Sequence, residues 1–69
     1  MAVEFEILEH IAEIGKKGKW AIEVNRIRWN NADAKIDIRR WSEDHEKMGK
    51  GIALTDEEAA ALQVALEKI

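Results

Sequence analysis

Each of the three tryptophans, Trp20, Trp29 and Trp41, directly follows a lysine or arginine (Lys19, Arg28 and Arg40), in a chain with one phenylalanine and no tyrosine. An indole beside a cation suits an unpaired nucleobase with its phosphate, because the ring stacks on the base while the cation neutralises the backbone. The densest such stretch is Lys35-Ile36-Asp37-Ile38-Arg39-Arg40-Trp41. The plainer alternative is a solvated sheet face of mixed charge whose tryptophan caps the edge of the core. Other chemistry is poorly provided for. There is no cysteine, so thiolate catalysis and Cys-ligated zinc are excluded. Ser42 and Thr55 are the only aliphatic hydroxyls, and Thr55 reads as a helix cap, so no enzyme is expected. His45 lies in Ser42-Glu43-Asp44-His45-Glu46, where adjacent turn residues do not converge on one ion, and His10 stands alone. Neither a metal nor a cofactor is expected. Gly15 to Gly18 and Gly49 to Gly51 lack the pattern of a phosphate-binding loop and read as turns.

The charge is unevenly distributed. The formal net charge of -3 and the pI near 5.3 argue, as averages, against a polyanionic partner. Residues 1–14 carry four acids and no lysine or arginine, and residues 51–69 carry Asp56, Glu57, Glu58 and Glu67 against Lys68. Residues 15–50 hold the remaining ten of the eleven basic residues against six acids, together with every tryptophan. A basic, aromatic middle between acidic ends points to a localised anion-binding surface.

The elements that must position these residues follow from hydrophobic period. Residues 5–14 fit both an alternating strand and a helical stripe through Ile7, Ile11 and Ile14. Gly15 to Lys19 reads as an exposed turn, and Trp20 to Trp29 as a strand whose imperfect alternation suggests a bulge or a switch of buried face near Asn25. Asn30 to Ala34 is a hairpin turn, and Lys35 to Trp41 alternates cleanly. A polar connection over residues 42–51 leads to a short strand, Ile52 to Leu54. Thr55 with Glu58 forms a capping-box signature for a closing helix with Ala59, Leu62, Leu66 and Ile69 on one stripe. The expected fold is α+β: a four-stranded antiparallel sheet followed by one C-terminal helix, ββββα, in a single domain over residues 1–69.

Ile36-Asp37-Ile38-Arg39, then Trp41, Asp44 and Glu46, then Lys50-Gly51-Ile52, Leu54, Glu58 and Leu62, resemble in order the core of the positive cofactor four family of transcriptional coactivators. The string from Trp20 through Trp29-Asn30 to Asp44-His45-Glu46-Lys47-Met48-Gly49-Lys50-Gly51 is similar to the small bacterial members of that family, the YdbC type. The resemblance covers nearly the whole chain. It implies a homodimer whose sheets form grooves for single-stranded DNA. Carried over by position, Arg39 matches a DNA-contacting arginine, Trp41 a stacking tryptophan, and Lys50 the lysine before Gly-Ile. Lys35 matches the lysine that opens the third strand. Trp29 matches the aromatic ending the second strand, across a turn one residue longer here.

The resulting expectation is a non-catalytic, single-stranded DNA-binding domain with weak sequence preference, with RNA a further candidate ligand. Lys19, Arg26, Arg28, Lys35, Arg39 and Lys50 neutralise phosphates, and Trp20, Trp29 and Trp41 stack on bases. The competing expectation is a protein interaction module that binds a polypeptide through a tryptophan-rich surface. Leu62, Leu66 and Ile69 are expected at a dimer interface, since so small a chain gains burial from a second copy. With no long apolar run and no cysteine, the sequence implies no membrane partner, no small-molecule substrate and a cytoplasmic setting.

Overall fold

A computed structural model describes residues 4–69. Its element order is β1 (Phe5–Lys17), β2 (Trp20–Trp29), β3 (Lys35–Ser42), β4 (Met48–Leu54) and α1 (Asp56–Leu66). The strands form one antiparallel meander in the order β1-β2-β3-β4. The expected architecture is therefore present, with three adjustments. The ambiguous first segment is a 13-residue strand that absorbs Gly15, so the first turn narrows to Gly18 and Lys19. Gly18 has φ +61, the left-handed value that a two-residue hairpin of type II′ asks of its first central residue. The last strand begins at Met48, shortening the preceding connection to residues 43–47.

Neither the bulge nor the switch of buried face expected near Asn25 is present in β2, which pairs with β3 without interruption from Trp20↔Ser42 to Ile27↔Lys35. Asn25 looks like a break in parity only if buried positions must be apolar. It is fully buried, and its amide is satisfied by neighbours on the same face. The irregularities lie in β1, at three register shifts, and between β3 and β4, where Arg39 opposes Gly51 but Trp41 opposes Met48.

Cross-strand partners share a face, so the register sorts the side chains. One face carries Phe5, Ile7 and His10 of β1, Glu23, Asn25, Ile27 and Trp29 of β2, and Lys35, Asp37, Arg39 and Trp41 of β3. Phe5 pairs with Trp29, and Trp41 pairs with Ala21, positions about 26 Å apart along an extended strand. The rings of Phe5 and Trp41 nevertheless lie 5.4 Å apart. The sheet must curl around this face, which is its inside. Here sits the core: Ile27 and Trp41 are fully buried, as are the polar Asn25 and Asp37. The outer face carries Trp20, Ile22, Val24 and Arg26 of β2 with Ile36, Ile38 and Arg40 of β3.

Helix α1 is capped as expected. Thr55 Oγ1 accepts from the Glu58 amide at 3.1 Å, and the Glu58 carboxylate accepts from the Thr55 amide at 2.9 Å. The bond from the Thr55 amide, and after it the Thr55 hydroxyl beside the carboxylate, hold the Glu58 carboxyl below its ordinary value. Arg26 on the outer face reaches Asp56 at 3.1 Å, which places the helix start on that side. Beyond that anchor α1 buries no residue, and Leu62, Val64 and Leu66 remain exposed. No helix among the described residues is long and apolar enough to cross a membrane.

Candidate nucleic-acid interface

The inner face is built around charge as well as rings. Asp37, fully buried, accepts from Arg39 Nε at 2.6 Å and from Nη2 at 2.8 Å, a two-point pairing that fixes the guanidinium plane. Arg39 Cζ lies 4.7 Å from the Trp29 ring centroid, and the Phe5 ring lies 5.5 Å from the same indole, tilted by 43°. Asp37, Arg39 and Trp29 thus form one stack across two strands, with the tilted Phe5 ring beside it on a third. Trp29 keeps part of its surface open and Phe5 is 37% exposed, so the far end of the stack faces solvent. Lys35 extends the face, in register with Ile27.

Towards the other end of the groove the polar groups knit together. His10 Nδ1 lies 2.7 Å from Asn25 Oδ1, and Asn25 Nδ2 donates to Glu23 Oε1 at 3.2 Å. His45 Nε2 approaches both Glu23 oxygens, at 3.1 and 2.9 Å. Burial pushes the Glu23 carboxyl upward, but the bonds from Asn25 and His45 and the nearby imidazoles together outweigh it and hold the group below its ordinary value. Trp41 lies between Phe5 and His45, with ring centroids 5.4 and 5.5 Å away, and has no exposed surface.

The nine residues expected to bind nucleic acid are therefore divided. Lys35, Arg39, Trp29 and Trp41 share the inner face, as the alternation of β3 requires. Trp41 is nevertheless a core residue here and not an open platform, a correction that comes from its being covered by Phe5 and His45. Trp20, Arg26 and Arg28 fall on the outer face, because β2 lacks the expected switch of parity. Arg26 is engaged by Asp56 and Arg28 by Glu6, so the acidic ends of the sequence fold back on the basic middle. Trp20 instead joins Lys17, Arg40 and Gly49 around an outer hollow of about 260 Å³. Lys19 is exposed in the first turn and Lys50 on β4 beside the register shift. Sequence reasoning missed Phe5, Lys16 on the inner face opposite Ala21, and the Glu23–Asn25–His10 network. The shared parity of Glu23, Asn25, Ile27 and Trp29 was the available signal.

Comparison with known proteins places this architecture. Residues 15–65 match the family described as Transcriptional Coactivator p15 (PC4), a span that contains β2, β3, β4 and nearly all of α1. The chain is also similar to an uncharacterised protein of Treponema pallidum (strain Nichols), 38% identical over 66 residues, covering 94% of this chain and 78% of that one. A curled four-stranded meander with its capped helix, and a family match over three strands and the helix, lead to one conclusion: the chain belongs to the PC4 family of non-catalytic nucleic-acid-binding proteins.

Proposed function

We propose that the chain binds single-stranded DNA along the inner face of its sheet, with little sequence preference. The observation that carries this reading is the stack of Arg39 on Trp29, open at its Phe5 end and flanked by Lys35. An unpaired base extends that stack, and the lysines meet the phosphates. A duplex hides its base faces and cannot use it. Among the described residues Lys16, Lys19, Lys35 and Lys50 make no ion pair within 4 Å, whereas Arg26, Arg28 and Arg39 do. The phosphate contacts accordingly belong to the lysines, and Arg39 acts chiefly as part of the stack. RNA offers the same base faces and is accepted by the same reasoning.

The working unit is a homodimer. Leu62, Val64, Leu66 and Ile69 expose apolar surface along and beyond α1, and Ile52 on β4 is 55% exposed. A second copy covers such surface by two-fold symmetry and presents two grooves to one strand.

Titration of tryptophan fluorescence with a single-stranded oligonucleotide and with its duplex tests the ligand. The single strand is expected to bind more tightly at equal salt. With about four phosphates engaged per subunit, the slope of log affinity against log salt is near -3. Equal affinity for duplex and single strand defeats the proposal, and a flat salt response favours a polypeptide ligand instead.

A further inference from the structure

Trp41 combines two properties that do not fit a permanent core residue. Its ring is fully covered, yet its indole N–H meets no acceptor among the described residues. A buried donor without a partner is a standing cost of the closed arrangement, recovered whenever the ring meets water or another acceptor. Two aromatic rings pack against it: Phe5, which also meets Trp29, and His45, which belongs to the exposed turn over residues 43–47.

That turn is built to stand as a unit. Ser42 Oγ donates to Asp44 at 2.8 Å, the Glu46 amide donates to Asp44, and the Lys47 amide donates to Ser42 Oγ. The His45 and Ser42 amides close the turn through Ser42 and Lys47 carbonyls. These bonds all lie within residues 42–47, and among the described residues the one polar link from the turn's side chains to another strand is His45 to Glu23 on β2. His45 sits at φ +62, a conformation that a residue other than glycine occupies at some cost. Glu23 is available to it because Arg39, directly opposite in register, is committed to Asp37 and Trp29. The other charged groups around Glu23 are Glu13, opposite it on β1, His10, and Lys16, Lys19 and Glu43 at the edge of a hollow of about 90 Å³.

We propose that His45 and Glu23 form a latch: the 43–47 turn masks Trp41 as a second stacking platform, and a single-stranded nucleic acid reaches that ring by displacing His45. The latch rests on the nucleic-acid reading given above and adds to it a gate. Binding at the open Trp29 stack precedes engagement of Trp41, and the affinity of the whole site is reduced by the fraction of time the latch is closed.

The test uses His45→Asn, which keeps a residue tolerant of positive φ and removes the imidazole from both Trp41 and Glu23. In a chain reduced to Trp41 by Trp20→Phe and Trp29→Phe, acrylamide quenching is expected to be weak and to rise severalfold on adding His45→Asn. In the native background His45→Asn tightens binding of an oligothymidylate by about threefold to tenfold, the lifted penalty of a mostly closed site. Adding Trp41→Phe cancels most of that gain. Unchanged quenching and unchanged or weaker affinity overturn the latch, as does a gain that survives loss of Trp41. Failure of the native chain to bind the oligonucleotide at all defeats the functional reading itself, and is distinct from a native chain that binds but is indifferent to His45.

Discussion

At the scale of single residues, the inner face holds its polar groups by mutual satisfaction. Asn25 is fully buried between His10 and Glu23, so Asn25→Ala strips a partner from both and is expected to destabilise the fold by about 1 to 3 kcal/mol, read as a shift in urea midpoint. Glu23 gives a pH signature. Its carboxyl is held below the ordinary value in the folded state, so it contributes stability that is present above that ordinary value. That contribution is lost as pH falls through the ordinary value and then the lower native one. The stability difference between the native chain and Glu23→Gln is therefore expected to shrink as pH falls through the carboxylate range. A difference that grows on acidification contradicts the assignment.

At the scale of elements, the close approach of β4 to β3 depends on Gly51. A Cβ there would lie 2.0 Å from Arg39 Cβ and 2.5 Å from the Ile38 carbonyl, which no side-chain rotation relieves. Gly51→Ala is expected to cost more than Gly18→Ala, where the added methyl meets nothing and only the positive φ is penalised, by about 1 to 2 kcal/mol. Thermal melts order the two. The β2–β3 hairpin and the capped helix were legible because their signals are local: the alternation Ile36, Ile38 against Asp37, Arg39, the turn residues Asn30 and Asn31, and Thr55 with Glu58, whereas the period of β1 fits a helix as well. The placement of Trp20 and the burial of Trp41 were not. Both depend on the uninterrupted register of β2 and on the curl of the sheet, which bring Phe5 from the far end of β1 onto Trp41. Period alone carries neither.

At the scale of the whole molecule, the segregation of charge along the sequence becomes pairing in space. Acids of the two ends take Arg26 and Arg28, and the lysines are left for an external anion. The helix that begins at Asp56 leaves its apolar residues uncovered, Leu66 at 55% exposed among them. Leu66→Asp is expected to convert a sedimenting dimer into a monomer and to weaken binding to a long single strand more than to a short one, since avidity requires both grooves. A native chain that sediments as a monomer at micromolar concentration contradicts the dimer.

The central claim is that the inner face of the sheet is the nucleic-acid interface, and two tryptophans on opposite faces test it most directly. Trp29 stacks with Arg39 inside, and Trp20 lies outside with Lys17 and Arg40. The measurement is the affinity of one oligothymidylate, at fixed salt, for Trp29→Ala and for Trp20→Ala. Loss of a stacked base at Trp29 is expected to cost about 1 to 3 kcal/mol, roughly 5-fold to 150-fold in affinity, with Trp20→Ala close to the native chain. A large loss at Trp20 with Trp29→Ala unaffected would place the interface on the outer face and contradict the account.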